Sequence, residues 1–272
     1  MALGAKMLLV GCGKMGGAML TGWLERRIVE EVVVVEPSAA SVAPFRDKPG
    51  VYLSKGIEGI APHFQPDIVV FAVKPQAMDE VVPDYRRFVR PQTVFLSIAA
   101  GKPVGSFAAH LGSRAAIIRA MPNTPAAVGR GITVLFANRN VSPDQTALSQ
   151  QLLEAVGEVA WIGDEALMDA VTAVSGSGPA YVFLLIEALA AAGVKAGLST
   201  DLAAKLARTT VSGSGELARL STEPADVLRK NVTSPGGTTA AALEVLMAPE
   251  GLQPLLDAAV DAATRRSREL AG

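Results

Sequence analysis

Two short stretches of the chain combine glycine with the start of a predicted helix, a pattern that favours binding of an anion. "VGCGKMGGAM" places Gly11, Gly13 and Gly16 in the spacing G-x-G-x-x-G, and "VTSPGGTTAAAL" places a Ser-Pro-Gly-Gly turn ahead of an alanine-rich segment. The first N–H groups of a helix lack partners within the helix and therefore attract negative charge. In the second stretch, Thr238 or Thr239 is predicted to cap the following helix. An ordinary turn between helices, without an anion, is the alternative interpretation.

The first motif follows a predicted strand, and in that context it predicts a dinucleotide site. Its glycines allow a tight turn, close approach of the backbone to a pyrophosphate and close packing of the helix. The predicted contacts lie in one segment and comprise Gly11, Gly13, Lys14, Met15 and Gly16. A glycine-rich turn without a ligand is the alternative.

Glu36 closes the second predicted strand, where such sites contact the adenosine ribose. A carboxylate accepts a hydrogen bond from the ribose 2′-hydroxyl and repels a 2′-phosphate, which favours NADH. Ser38, Ser41 and Arg46 follow closely in the sequence, so NADPH stays open.

Three further loops follow predicted strands, and ligands of open α/β sheets bind at the carboxyl ends of the strands. "FAVKPQ" (71–76) and "SIAAG" (97–101) contain mostly small residues, which suits a flat cofactor lying close to the backbone. Lys74 is predicted either to meet a phosphate or to be solvated, and Pro75 stiffens its loop. In "RAMPNTPAAVGRG", Asn123 is predicted to help frame the nicotinamide, with a rigid turn as the alternative.

The pattern of predicted elements indicates an α/β domain followed by a helical domain. In the first part, short β-branched runs alternate with helical segments, which predicts a mostly parallel, doubly wound Rossmann-type sheet. From Asp164 onward only helical segments are predicted, so the domains are placed at 1–163 and 164–272. The predicted strands are 7–10, 31–36, 67–73, 93–98, 115–119, 131–136 and 158–162.

Composition and charge argue against several classes of partner. The 272 residues carry a formal net charge of −1, so we expect no general attraction to nucleic acid or to an anionic membrane surface. The single cysteine, Cys12, cannot form an internal disulfide, which fits a reducing compartment. The apolar run at the start is interrupted by glycines and Lys14, so no signal peptide is predicted. We expect a cytoplasmic protein, and no metal site is predicted.

The segment "PAYVFLLIEALAAAGV" (179–194) is predicted to be a buried helix rather than a membrane span. It contains Glu187 and is shorter than the roughly 18 uncharged residues that a span needs. Because it is apolar on every face, it requires cover all round. We expect a second subunit to supply part of that cover, with burial inside one subunit as the alternative.

No strong acid or base accompanies the predicted cofactor site. His63 and His110 are the two histidines, and both are predicted to lie on the surface. Dehydrogenases of β-hydroxyacids carry G-x-G-x-x-x-K-x-x-x-N in the helix after the sheet; the two glycines match here, whereas Val182 and Ile186 stand at the Lys and Asn places. An iminium substrate, which already carries the positive charge, needs no such pair.

Six segments together resemble pyrroline-5-carboxylate reductase, the last enzyme of proline biosynthesis. The resemblance implies reduction of Δ1-pyrroline-5-carboxylate to L-proline with NADPH or NADH. It also implies a Rossmann domain followed by a helical domain that forms intertwined homodimers, often assembled into decamers. The segments are "GCGKMGGAM" at 11–19, "AVKPQ" at 72–76, "SIAAG" at 97–101, "RAMPNTPAAVGRG" at 119–131, "AVSGSGPAYVFLLIEAL" at 173–189 and "VTSPGGTT" at 232–239.

The resemblance also implies roles for individual residues. The substrate carboxylate would be held by Ser234, Gly236, Gly237 and Thr238. Thr239 would lie near the ring nitrogen as the catalytic residue, although the doubled threonine leaves open which of the two faces the substrate. Cofactor contacts are implied for Val73, Lys74, Pro75, Ala99, Ala100 and Asn231. Glu36 departs from members with a serine or basic residue there, so their NADPH preference is not implied.

Two other interpretations of the sequence stay open. One is another nicotinamide oxidoreductase of similar two-domain build, such as a hydroxyacid dehydrogenase. The other is a dinucleotide-sensing regulator that binds the cofactor without catalysis.

Overall fold

A computed structural model describes residues 4–271, and its N-terminal part contains an eight-stranded sheet. The strands are β1 (Lys6–Val10), β2 (Glu31–Val35), β3 (Val51–Ser54), β4 (Ile68–Phe71), β5 (Val94–Ser97), β6 (Ala116–Met121), β7 (Gly131–Ala137) and β8 (Gly157–Trp161). Their order across the sheet is β3-β2-β1-β4-β5-β6-β7-β8. Only β6 and β7 pair antiparallel among these strands, so the predicted mostly parallel sheet is confirmed.

The chain direction across the sheet reverses next to β1. From β1 it proceeds through β2 to β3 at one edge, and it then crosses to the other side of β1 to form β4. Ligands of such sheets bind outside the carboxyl ends of the strands at this switch point.

Apolar residues cover both faces of the sheet. Met7 and Leu9 of β1 pack into one core cluster, and Leu8 and Val10 pack into the other. Successive side chains of a strand point to opposite faces, so a strand buried on both sides reads as a continuous apolar run. This is why the central strands are recognisable in the sequence.

The seven predicted strands are all present, with ends that differ by two residues or fewer. The sequence did not reveal β3, which lies at the edge of the sheet and pairs only with β2. Tyr52 of this strand is 58% exposed. An edge strand buries less apolar surface than a central one, so its sequence pattern is weaker.

α-Helices lie between the strands and after β8. They are α1 (Lys14–Glu25), α2 (Ala39–Val42), α3 (Met78–Val81), α4 (Val104–Leu111), α5 (Pro143–Glu154), α6 (Met168–Val171), α7 (Gly178–Lys195), α8 (Thr200–Leu220), α9 (Ala225–Asn231), α10 (Thr238–Leu246) and α11 (Leu252–Ala271). Within residues 4–271 no strand follows β8, as predicted.

The chain divides into two compact units. The first comprises the residues up to Gly176 together with those from Ala263 onward, and the second comprises Ser177–Ala262. The whole sheet belongs to the first unit, to which the end of α11 returns. The domain boundary near residue 163 rests on the change from strands to helices and stays a prediction.

Within the second unit, α7 leaves a large apolar surface uncovered by its own chain. It packs against α8 where small residues meet, since a Cβ on Gly193 would lie 3.2 Å from the Ala203 Cβ. Phe183 and Leu184 are nevertheless 58% and 63% exposed, and no residue of α7 is buried. The exposure of these side chains favours cover by a second subunit over burial inside one subunit.

A helical stretch that ends with α7 is long and apolar enough, by length and composition alone, to cross a membrane. This stretch, Glu165–Lys195, has a mean hydropathy of 1.6 over its most apolar window. Composition of this kind does not distinguish a membrane span from a face that another subunit covers.

Candidate active site

Three loops meet at the carboxyl edge of the sheet, beside the switch point. They follow β1, β4 and β5, and backbone hydrogen bonds join them to neighbouring strands. Ala72 N–H donates to the Val10 carbonyl (2.7 Å), and Ile98 N–H donates to the Phe71 carbonyl (3.1 Å). The structure therefore brings together three segments for which cofactor contacts are predicted.

The three glycines of the first loop have three different structural environments. Gly11 has a φ of +91°, and a Cβ there would lie 2.8 Å from Val73 Cγ1, so this tight turn needs glycine. A Cβ on Gly16 would overlap the Gly11 carbonyl oxygen, so glycine lets α1 pack against the loop. A Cβ on Gly13 would meet no atom within 4 Å. Gly13 thus faces open space through which a pyrophosphate can approach the backbone, and the loop fits a dinucleotide.

The start of α1 also suits a phosphate. Gly13 is the N-cap, no side chain caps this end, and the first turn contains no acidic residue. The helix begins at the exposed Lys14, followed by the half-buried Met15. Backbone N–H groups and the positive end of the helix dipole are therefore available to an anion.

The Glu36 carboxylate links the first loop to the loop after β2. Its Oε2 accepts a hydrogen bond from Cys12 N–H (2.8 Å), and its Oε1 accepts one from Ser38 N–H (2.9 Å). A carboxylate oxygen accepts more than one hydrogen bond, so these contacts leave capacity for a ribose hydroxyl. Glu36 therefore shapes the loop in addition to its predicted role in cofactor discrimination.

Cys12 lies beside Glu36 and is only 2% exposed. Burial, reinforced by the negative charge of Glu36, raises the pKa of the Cys12 thiol from 9.0 to about 11. The thiolate is the nucleophilic form of cysteine, so Cys12 is an unreactive packing residue near neutral pH.

We expect the raised pKa of Cys12 to make the folded state less stable in alkali. The folded thiol keeps its proton above the pH at which the unfolded thiol loses it. Its contribution is therefore fully present below about pH 9 and is lost as the pH rises through about 11. Urea unfolding of the wild type and of Cys12→Ala between about pH 8 and pH 10.5 measures this, because the wild type should lose more stability. Equal losses in the two proteins would contradict the expectation.

The loops after β4 and β5 carry the next set of predicted contacts. Lys74 is exposed, and Pro75 begins a short 3-10 helix immediately after it. Ala99 is buried and Ala100 is half-buried in the loop after β5. Cofactor contacts of Val73, Lys74, Pro75, Ala99 and Ala100 stay predictions.

The Asn123 side chain fixes the loop after β6. Its Oδ1 accepts a hydrogen bond from Ile132 N–H (2.9 Å), and its Nδ2 donates to the Ser175 carbonyl (3.2 Å). These bonds support the rigid-turn interpretation. A contact between Asn123 and the nicotinamide stays a prediction.

The sequence reasoning missed one buried ion pair beside these loops. Arg119 of β6 is 5% exposed, and its Nη1 lies 3.2 Å from Glu165 Oε1. The arginine inside the apolar run "AAIIRAM" was a usable signal, since a buried charge requires a partner. The identity of that partner was not recognisable from the sequence.

Neither histidine lies in the three loops at the carboxyl edge of the sheet. His63 is exposed. His110 Nε2 lies 3.4 Å from Asp79 Oδ1, and Lys102 Nζ lies 2.7 Å from Asp79 Oδ2. The hydrogen bond from Lys102 is the main reason that the pKa of Asp79 lies below its usual value.

In the second unit, the Ser-Pro-Gly-Gly turn leads into α10. Gly237 is the N-cap and no side chain caps the helix, so the predicted threonine cap is wrong. The reason is conformational: Gly237 has the extended backbone of a cap (φ −81°, ψ 174°), whereas Thr238 already begins the helix. Gly236 turns the chain with a φ of +68°, and Gly237 N–H donates to the Ser234 carbonyl (3.0 Å).

This turn presents backbone donors and two threonine hydroxyls. The first turn of α10 contains no acidic residue. Thr238 is exposed and Thr239 is half-buried within the chain. Nearby, Asn231 Nδ2 donates to Glu223 Oε2 (3.1 Å), and its predicted contact with the cofactor stays a prediction. The arrangement suits a small carboxylate, as a helix start does in general.

A doubly wound sheet with this glycine-rich loop and an acidic residue after β2 defines a dinucleotide-binding protein, and the comparisons place it among the nicotinamide-dependent oxidoreductases. A family model described as "NADP oxidoreductase coenzyme F420-dependent" matches residues 6–101. Another, described as "Pyrroline-5-carboxylate reductase dimerisation", matches residues 165–270. The second match covers the exposed face of α7, so we assign that face to association between subunits rather than to a membrane.

Comparison with individual proteins defines the family. Pyrroline-5-carboxylate reductase of Pseudomonas aeruginosa is 40% identical and covers 98% of this chain and 97% of its own length. The solved structure of a pyrroline-5-carboxylate reductase from Coxiella burnetii matches with a TM-score of 0.91 at 34% identity, over 99% of each chain. That of the Plasmodium falciparum enzyme with NADP bound matches with a TM-score of 0.82 at 32% identity, over 100% of each chain. The chain belongs to the pyrroline-5-carboxylate reductase family.

Proposed function

We propose that this protein reduces Δ1-pyrroline-5-carboxylate to L-proline with NADH or NADPH, the last step of proline biosynthesis. The observation that carries the proposal is the loop after β1 in a chain of this family. Gly11 allows the turn, Gly16 allows the contact with α1, and Gly13 leaves open space that a ligand could enter. Another oxidoreductase or a non-catalytic sensor has no comparable observation in its favour.

Binding and orientation account for most of what the protein must supply. When bound, the reduced nicotinamide supplies the hydride that the imine carbon accepts. The start of α1 would hold the pyrophosphate, and Ala99 and Ala100 would let the cofactor lie close to the backbone. The protonated imine nitrogen already carries the positive charge that makes its carbon electrophilic. A strong protein acid is therefore unnecessary, in keeping with Val182 and Ile186 at the places of the hydroxyacid dehydrogenases' Lys and Asn.

The substrate carboxylate is assigned to the turn before α10. Ser234, Gly236, Gly237 and Thr238 would surround it with backbone and hydroxyl donors. A hydrogen bond to a charged group contributes about 1.5–3 kcal/mol, so two or three donors suffice to orient a small acid. Thr239 would then place its hydroxyl beside the ring nitrogen.

The test is direct. Purified protein is mixed with NADH or NADPH and Δ1-pyrroline-5-carboxylate, and loss of reduced-nicotinamide absorbance is followed together with proline formation. We expect stoichiometric turnover. Cofactor binding without turnover would favour the sensor or another oxidoreductase.

We further propose that Glu36 makes NADH the preferred cofactor. The Glu36 carboxylate is hydrogen-bonded to the glycine-rich loop through Cys12 N–H, and its negative charge would repel a ribose 2′-phosphate. We expect a higher kcat/KM for NADH in the wild type, and Glu36→Gln should shift the ratio towards NADPH by about tenfold, or about 1.4 kcal/mol. The amide oxygen can still accept a hydrogen bond from the loop, which limits disruption. A tenfold preference of the wild type for NADPH would overturn this proposal.

The assembly proposed is a homodimer formed through the helical region, with a decamer built from five such dimers as the larger form. The exposed side chains of α7 supply the apolar surface that a stable interface requires. Sedimentation at micromolar concentration should detect the dimer or a multiple of it. Leu184→Arg should weaken the association, because it places a charge on this face. A wild-type monomer under these conditions would contradict the proposal.

A cytoplasmic location is proposed on the basis of cysteine content. The single Cys12 is buried as a free thiol, as suits a reducing compartment. Cell fractionation would test the location, and recovery in a membrane or secreted fraction would contradict it.

A further inference from the structure

One carboxylate joins the loop after β5 to strand β6. Glu165 lies in a 3-10 helix, Glu165–Leu167, that follows β8. Its Oε1 accepts hydrogen bonds from Val104 N–H (2.8 Å) and from Arg119 Nη1 (3.2 Å). A single oxygen therefore links the first residue of α4 to a buried arginine of the sheet.

Helix α4 depends on this external carboxylate at its start. Its N-cap is Pro103, no side chain within the helix caps it, and its first turn contains no acidic residue. The Glu165 carboxylate accepts one of the N–H groups that the helix leaves unpaired, and its charge lies at the positive end of the helix dipole. The position of Val104, and with it the end of the preceding loop, is thus set by Glu165.

The loop between β5 and α4, residues 98–103, is held at both ends. At its start, Ala99 N–H donates to Ser97 Oγ (3.2 Å), and both residues are buried. Gly101 turns the chain with a φ of +73° and is buried as well. At its end, Val104 is held by Glu165. Ile98 N–H and the Lys102–Asp79 ion pair also hold this loop, and Glu165 supplies the attachment at its C-terminal end.

We propose that Glu165 is a positioning residue for the cofactor, acting through Val104 on the loop that contains Ala99 and Ala100. Arg119 keeps Glu165 in place: it is buried, and its Nη2 makes no hydrogen bond among residues 4–271. The ion pair with Glu165 is therefore its main stabilising contact. The inference rests on the proposed function, because it takes Ala99 and Ala100 as cofactor contacts.

Two double variants that differ only in the acceptor for Val104 N–H test the proposal. Arg119→Met removes the buried positive charge in both. Glu165→Gln then keeps a carbonyl oxygen for Val104, whereas Glu165→Leu removes it. We expect the Leu double variant to bind NADH or NADPH about 5- to 20-fold more weakly by nucleotide fluorescence, and the Gln double variant to stay within about twofold of the wild type. The KM for cofactor should rise while kcat at saturation changes little.

The rescue by glutamine separates positioning from folding stability. Equal cofactor affinity in two double variants that are both folded by circular dichroism would overturn the proposal. Asp164→Asn is the matched control, since this neighbouring carboxylate accepts from Ala166 N–H (2.9 Å) within its own turn. It should leave the cofactor affinity unchanged.

Hydrogen exchange tests the attachment of the loop to Glu165 even if the Leu double variant does not fold. In Glu165→Gln a neutral acceptor replaces a charged one, so amides in residues 98–106 should exchange faster, whereas Asp164→Asn should not change them. Unchanged exchange in Glu165→Gln would contradict the role of Glu165. A wild type that binds neither nucleotide would instead refute the proposed function, while the exchange result would still report on the loop.

Discussion

Replacing Thr239 with alanine should lower kcat by about 10- to 100-fold, or about 1.4–2.7 kcal/mol of transition-state stabilisation, with cofactor affinity nearly unchanged. The proposed carboxylate site before α10 consists largely of backbone donors, which the substitution retains. Thr239 contributes the half-buried hydroxyl of this turn, which we place beside the ring nitrogen. Its loss should therefore affect orientation of the imine more than cofactor binding. Steady-state kinetics and nucleotide fluorescence measure the two effects separately.

The neighbouring threonine provides the control for Thr239. Neither residue caps α10, so alanine at either position should leave the helix start intact. Thr239→Ser should retain most of the rate because it keeps the hydroxyl, and Thr238→Ala should have the smaller effect on kcat. A large loss in Thr238→Ala alone would reverse the assignment. Normal kcat in both alanine variants would exclude a hydroxyl role in the reaction.

Replacing Gly13 with alanine should weaken binding of NADH and NADPH by about 10- to 100-fold without unfolding the protein, the equivalent of about 1.4–2.7 kcal/mol of binding. The backbone of Gly13 (φ −69°, ψ −161°) is accessible to alanine, and no atom lies within 4 Å of the added Cβ. The methyl group would instead occupy space that we assign to the pyrophosphate. Fluorescence titration gives the affinity, and thermal unfolding should show little change in Tm.

Gly17→Ala is the matched control for Gly13→Ala. It also adds one methyl group near the start of α1, but its Cβ would lie 3.8 Å from the nearest atom, the Cys12 carbonyl oxygen, at ordinary van der Waals distance. Alanine is favoured over glycine inside a helix, so this variant should be at least as stable as the wild type and bind the cofactor normally. Unimpaired binding by Gly13→Ala would show that the pyrophosphate does not pass Gly13.

Local patterns made much of the fold predictable. The central strands were recognisable because burial on both faces requires continuous apolar runs, as in Val32–Val35 of β2. The glycine-rich loop was recognisable because the need for glycine arises from contacts within a few residues. In the structure, a Cβ at Gly11 or Gly16 would lie too close to neighbouring atoms. The threonine cap was predicted wrongly, since threonine and glycine both occur at N-caps and the sequence does not specify where helical backbone begins.

The sequence alone thus determined the fold class and the family and predicted a segment for the cofactor, because these depend on local periodicity and on residues with special backbone freedom. Tertiary structure decided which distant groups pair. Glu165 reaches Arg119 across 46 positions, and Asn123 reaches Ser175 across 52. It also decided that both Glu36 oxygens hold loop backbone and that α7 exposes its apolar face. Such contacts depend on where the packed strands and helices place side chains that are remote in sequence, which no local pattern specifies.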